Sequence, residues 1–403
     1  MRTTAALCLL VTFVASCASR HEHPDRSPGP IHVTVFKERG RYAGWPANHG
    51  IWSWGDEILV GFEIGYHKGT QPAVNPLSQT KDTHAIDYTR PAEHVLARSL
   101  DGGETWAIER PSELIPPEGE KVARVPTGKG GRQPVDCPGG IDFTHPDFAM
   151  TLRMLSYHVG PSRFLYTLDR GRSWRGPFQL PNFDTPGIAA RTDYLVEGKH
   201  EMLAFLTAAK SNRKQGRVIC VRTQDGGASW QVHGRIGPEP GPGDKANMPS
   251  SVRQGPASLL TARRRVDGID LYRSDDNGKS WRYLNHPVRT TGSNGNPPDL
   301  LRLDDGRLAL IYGFRAPPYG VRVQFSSDDG NTWSDSFHLR DDGGYWDVGY
   351  PRSVQRPDGK VVTVYYFTEG KESERHILAT IWDPSQLICE GQDGVLKQPL
   401  TAR

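Results

Sequence analysis

An eight-residue turn motif, Ser/Thr-x-Asp-x-Gly-x-x-Trp, recurs five times, at residues 99–106, 167–174, 223–230, 274–281 and 326–333. Its hydroxyl and carboxylate can bond backbone amides inside a tight turn. Its glycine takes a positive φ that a Cβ would oppose, and its tryptophan returns over the turn to bury a large ring. Successive tryptophans lie 68, 56, 51 and 52 residues apart. A unit of that length holds about four short strands, the period of a β-propeller blade.

Between the motifs the chain reads as short strands separated by Gly, Pro and Asp turns, with no long helix. The expected fold is all-β, a six-bladed propeller of four-stranded antiparallel blades. Six segments read as innermost strands, beginning near Asn48, Asp142, Ala190, Ser250, Pro298 and Asp347. Five are followed by a copy of the motif. The sixth is followed by only two further strands, at residues 360–367 and 375–382. Residues 31–36 (Ile-His-Val-Thr-Val-Phe) alternate cleanly and precede the first inner strand. They are expected to complete the sixth blade from outside and close the ring, which satisfies an otherwise open sheet edge.

Arg2 followed by an apolar run at residues 5–14, too short to span a bilayer, reads as an export signal. Val14-Ala15-Ser16-Cys17 resembles the bacterial lipobox, which implies lipidation of Cys17, and Ala18 beside it favours outer-membrane sorting. The expected organisation is a lipoprotein-type signal peptide at 1–17, a polar proline-rich tether at 18–30, the propeller at 31–390 and a tail at 391–403. The protein is thus expected in the bacterial cell envelope, anchored through its lipid, or in the periplasm or outside the cell. The net charge of +3 with mixed signs gives no field for nucleic acid. Beyond Cys17, the cysteines Cys137, Cys220 and Cys389 have no CxxC spacing, so neither a zinc site nor a disulfide framework is expected. His49, Asp142, His145 and Asp147 carry metal-ligating atoms, but from separate blades and without a spacing signature. No cofactor or metal is called for.

In a propeller the first strands line the axis, and side chains at their mouth ends converge on one cavity. Polar residues there stand where a buried strand would otherwise be apolar. They are Asp142, His145 and Asp147 at the second strand, Arg191 and Asp193 at the third, Arg253 at the fourth, and Asp347, Tyr350 and Arg352 at the sixth. Trp45, His49, Trp52 and Trp54 cluster at the first, where rings can stack on sugar faces. A charged mouth favours an enzyme over a non-catalytic glycan-binding propeller.

The five motifs are Asp-boxes, and beyond residue 30 the chain resembles the sialidase (neuraminidase)-like superfamily. In that family three arginines grip the substrate carboxylate, planar guanidinium matching it bidentately, a tyrosine paired with a glutamate is the nucleophile, and an aspartate is the acid/base. The resemblance implies that Tyr350, in Gly349-Tyr350-Pro351-Arg352, is the nucleophile. It implies that Arg315 and either Arg263 or Arg264 belong to the arginine set. Asp142, Asp193 and Asp347 are the candidate catalytic carboxylates, with Arg191, Arg315 and Arg352 as anion clamps and His49 and His145 beside the substrate. The first-blade arginine of the family is replaced by Gly44 in Ala43-Gly44-Trp45-Pro46, and its last-blade glutamate by the Tyr366-Phe367 region. The implied function is an exported glycoside hydrolase removing a terminal acidic sugar from a glycan, nearest to an exo-α-sialidase. The alternatives are an arabinanase-type or uronic-acid-type exo-glycosidase of the same fold, and the non-catalytic propeller.

Overall fold

Strands in the computed structural model, which describes residues 29–69, 84–117, 130–156 and 158–387, form six antiparallel sheets arranged as the blades of a β-propeller. The fourth blade shows the plan. Asn247–Arg253, Leu259–Arg264, Ile269–Ser274 and Arg282–Val288 pair in sequence order from the axis outward. Middle strands are apolar on both faces because each face meets a neighbouring blade. In Val361–Phe367 every residue is buried. Val362, Val364 and Tyr366 pack with Ile58, Val60 and Phe62 of the first blade. Val361, Tyr365 and Phe367 pack with Ile311, Val321 and Val323 of the fifth. The period-2 alternation of a strand thus divides its residues between two inter-blade cores.

The Asp-boxes fold as their residue types demand. In the first, Ser99 Oγ donates to Asp101 Oδ1 at 2.7 Å and accepts from Gly103 N at 2.8 Å. Asp101 also accepts from Thr105 N at 2.9 Å, and Trp106 Nε1 donates to Gly103 O at 2.9 Å. The motif glycines Gly103, Gly171, Gly227, Gly278 and Gly330 all have φ between 80° and 95°. The preceding residue is left-handed as well, even where it is Arg170, Asn277 or Asp329. The turns also fix the polarity of the ring. Gly102 N donates to Asp56 O, Gly226 N to His200 O and Asn277 N to Ala257 O, so these three boxes sit against the turn between the first two strands of their own blades. The opposite end, where second strands finish and first strands begin, is therefore the open mouth.

Ring closure occurs as the alternation of residues 31–36 implies. Ile31–Phe36 pairs antiparallel with His376–Trp382, from Ile31 opposite Ile381 to Phe36 opposite Ile377, making the sixth sheet four-stranded.

The second blade departs from expectation. Its described sheet has three strands, Ala149–Met154, Ser162–Thr167 and Arg175–Leu180. The expected inner strand from Asp142 is instead a pair of turns. The inner edge of Ala149–Met154 is satisfied by side chains of the third blade. Met150 N donates to the Tyr194 hydroxyl at 3.2 Å and Leu152 N to Thr192 Oγ1 at 3.0 Å. Backbone donors need partners, but those partners need not be a strand. Cys137 and Cys220 are buried free thiols. Cys17, the export signal and Cys389 lie outside the described residues. Among the described residues no helix is long and apolar enough to cross a membrane.

Candidate active site

At the open mouth lies a cavity of about 220 Å³ lined by Trp45, Asn48, His84, Tyr88, Arg191, Gln215, Lys245, Arg264, Asn294 and Tyr350. Its cations come from different blades, and no carboxylate lines it among the described residues. Tyr350 stands at the start of Gly349–Gln355 with a left-handed φ of 54°. A conformation that costs a non-glycine residue about 1–3 kcal/mol is held here by Asn296, whose Oδ1 accepts from Tyr350 N at 3.0 Å. The phenol is set against charge. Arg264 Nη1 donates to its oxygen at 3.1 Å, and the Arg315 guanidinium lies 5.5 Å from its ring centre. Burial alone would raise this phenol, but Arg264, Arg315, Arg191 and His84 outweigh it and bring it down to about 7.

Among the described residues, neutral oxygens accept from Arg191 and Arg264. Arg191 donates Nε to Asn48 Oδ1 at 2.9 Å and Nη2 to Gln215 Oε1 at 3.4 Å. Arg264 also donates to Asn294 O. Lys245 is lowered to about 8 by burial and then by Arg264, Arg315 and Arg191. Cations that repel one another in a half-buried cavity gain most from an anion placed between them.

Behind Tyr350 is a buried polar network. Asp347, fully buried, accepts from the Tyr366 hydroxyl at 2.6 Å and from Arg375 Nε at 3.1 Å, with His84 Nδ1 at 2.8 Å. Burial opposes its charge, but His84, Arg375 and Arg315 hold the carboxyl well below its ordinary range. Arg315 is fully enclosed. It donates to Val348 O, Gly295 O and the Tyr366 hydroxyl, and stacks 5.1 Å from the Trp346 ring centre. It supplies charge from beneath the cavity and does not line it.

The structure thus brings Tyr350 and Arg191 to the cavity, keeps Asp347 buried behind Tyr350, and separates the rest. Asp193 and Arg352, two residues beyond Arg191 and Tyr350, point one layer deeper into the axis. There Ser251 donates to both Asp193 oxygens, and Arg352 donates to Asp299 Oδ1 at 3.3 Å and to the carbonyls of Ala47 and Thr192. Asp142 and His145 are corrected outright, because they lie at the Asp-box end. Asp142 accepts from Thr144 N and Oγ1 in a local turn, 3.9 Å from Lys199, and His145 Nδ1 accepts from Asp147 N. Asp147 is paired with Arg170 at 2.6 Å, and Arg253 with Glu197. Of the arginine run 263–265, only Arg264 reaches the cavity. Arg263 is locked to Asp270 at 2.7 Å and Arg265 to Asp270 at 2.8 Å.

His49 is buried between the first two blades, its ring 4.9 Å from that of His94. With Glu63 the two histidines hold ligand atoms within 4.8 Å of one another. Burial and the Arg153 charge keep both imidazoles neutral, and the same guanidinium opposes a bound cation.

The BNR repeat-like domain family matches residues 153–363, and the chain belongs to that family, within the sialidase-like superfamily. No curated protein matches it by sequence. Among solved structures, a Dyadobacter fermentans protein of unknown function is similar at TM-score 0.63 and 22% identity, covering 88% of this chain and 99% of that one. A mutant of the NanB sialidase from Streptococcus pneumoniae is similar at TM-score 0.57 and 12% identity, covering 90% and 72%. A Penicillium chrysogenum α-L-arabinanase is similar at TM-score 0.55 and 13% identity, covering 89% and 99%. At these identities the likeness is one of fold.

Proposed function

We propose that this protein is an exported exo-glycosidase that removes a terminal acidic sugar from a glycan, with exo-α-sialidase the nearest named activity. The observation that carries the reading is Tyr350 bonded to Arg264 in a cavity whose charged lining, among the described residues, is cationic. The sugar's carboxylate sits among Arg264, Arg191 and Lys245, which fixes the anomeric carbon over the phenol oxygen. A phenol brought down to about 7 is substantially ionised at neutral pH. It attacks the anomeric carbon to give a covalent glycosyl intermediate that water later resolves, with net retention. Structural similarity to a sialidase and to an arabinanase supports the reaction class, and the cations favour the acidic sugar. The lipobox at residues 14–17 would tether the enzyme to the envelope, within reach of external glycans.

A panel of glycans ending in sialic acid, uronic acid, arabinose or neutral hexose tests this. Release confined to the acidic termini is expected. Release of arabinose or neutral sugar alone would overturn the anionic specificity. Binding without release would make the protein a glycan-binding propeller.

A further inference from the structure

The lysine of the cavity is delivered by a connection rather than by a strand. Residues 237–246 cross from Gln231–Ile236, the outer strand of the third blade, to Asn247–Arg253, the inner strand of the fourth. Lys245 lies on this crossover and lines the cavity with Arg264. A connection of that length holds a side chain in one place only where its backbone is tied down.

The tie is Lys210. Its side chain is fully buried at the turn between Glu201–Ala209 and Gln215–Thr223. Nζ donates to Gly241 O at 2.7 Å, to Asp244 O at 2.5 Å and to Pro242 O at 3.4 Å. An ammonium carries three N–H donors, so three converging carbonyls replace the water it has lost. Asp244 directly precedes Lys245, so this cage fixes the backbone one residue from the cavity. The same hairpin grips the crossover at two further points. Ser211 N and Oγ donate to Glu239 Oε1 at 2.9 and 2.6 Å, and Ala246 N donates to Gly216 O at 2.7 Å. Gly216 is packed so closely that a Cβ there would stand 3.2 Å from Lys245 Cα and 3.3 Å from Lys210 Cδ. From the fourth blade, Arg265 holds the Asp244 carboxylate.

We propose that Lys210 is a positioning residue for substrate recognition, caging the crossover so that Lys245 meets the carboxylate of the acidic sugar. The role rests on the acidic-sugar reading above and deepens it. Lys210 is enclosed and acts through Lys245. A neutral side chain in its place leaves three inward-facing carbonyls without donors. The crossover then relaxes toward water to satisfy them and carries Lys245 with it.

The test is a double-mutant cycle on the full chain, read by calorimetric titration with free sialic acid and with free glucuronic acid. Lys245→Met removes the ammonium at the cavity, and Lys210→Met removes the one in the cage. Each alone is expected to weaken binding of the acid that wild type binds by about 10-fold or more. In the Lys245→Met background, Lys210→Met is expected to cost less than about 2-fold further, because the contact it positions is already gone. Losses that multiply in the double variant would overturn the role of Lys210 alone, as would wild-type affinity in Lys210→Met. A wild-type chain that binds neither acid would overturn the acidic-sugar reading and this role with it. Gly216→Ala keeps both ammonium groups and crowds Lys245 from behind, which supplies the readout where Lys210→Met does not fold. Weaker binding of the acid is expected from it, again only while Lys245 is present, and unchanged binding would overturn the proposal.

Discussion

Arg264 Nη1 donates to the Tyr350 hydroxyl across 3.1 Å, joining the end of the fourth blade's second strand to the start of the sixth blade's first. The blade between them lends Arg315 from beneath. The fourth and fifth blades therefore act on a phenol carried by the sixth, and with Arg191 and His84 their charge outweighs the burial that would keep it neutral.

Arg264→Gln should remove the nearest of these charges. The Tyr350 phenol, now at about 7, should move back toward its ordinary value near 10. Because the phenolate is the reactive form, the rising limb of kcat/KM should shift to higher pH by about one unit or more. A pH–rate profile or an ultraviolet tyrosinate titration reads this. An unmoved limb would mean that Arg264 does not tune the nucleophile.

A chain beginning at Gly40 should lose the outer strand Ile31–Phe36, its backbone pairing with His376–Trp382, and the 2.9 Å contact between His32 and Thr380. Buried Val35 leaves the inter-blade core with it. A fall in Tm of at least about 5 °C is expected, together with aggregation through the bared edge. Unchanged melting would show that the ring closes without this strand.

Much of this architecture was legible because its determinants are local. The Asp-box is a set of short-range bonds within eight residues, and residues 31–36 alternate in the one place where a strand was missing. Tyr350 and Arg191 were legible as well, since the starts of inner strands face the axis wherever the blade register is known. The second blade misled, because the polar run at 142–147 looks like a mouth while its residues bond one another in turns at the far end. The sequence pattern puts Asp193 and Arg352 at the mouth, yet a step of two residues along an extended chain carries a side chain deeper on the same face. Arg264, Lys245 and His84 could not be assigned from spacing. Consecutive arginines at 263–265 face alternately into blade and cavity, and His84 meets Asp347 over 263 residues.

Asp193 is raised to about 7, chiefly by burial. A carboxyl raised above its unfolded value near 3.9 contributes stability that is fully present below that value and is lost as pH rises through about 7. Asp193→Asn keeps the acceptor for Ser251 N and removes the titration. The fall in Tm between about pH 4 and about pH 8 should therefore be shallower in the variant. Parallel curves for the two proteins would contradict the assignment.

The Asp-box carboxylates work in the opposite sense. Asp276 is drawn down to about 2 by its bonds to Ser280, and its 2.8 Å contact with Ser274 acts the same way. A lowered carboxyl contributes stability present above its unfolded value and lost as pH falls through about 2. Asp276→Asn should lower Tm at neutral pH and narrow the gap from wild type as acid is added. A gap constant down to about pH 2 would show that the ionised form contributes nothing there.

The most direct test is the turnover of Tyr350→Phe on an acidic glycan that the wild-type chain cleaves. The variant keeps the ring against Arg264 and Arg315 and loses only the attacking oxygen. Losing a nucleophile acts on the transition state, so kcat should fall by a factor on the order of a thousand or more, while binding of the released acidic sugar changes by only a few-fold. Full turnover by the variant, or an equal loss of turnover and binding, would contradict the assignment of Tyr350 as the nucleophile of this site.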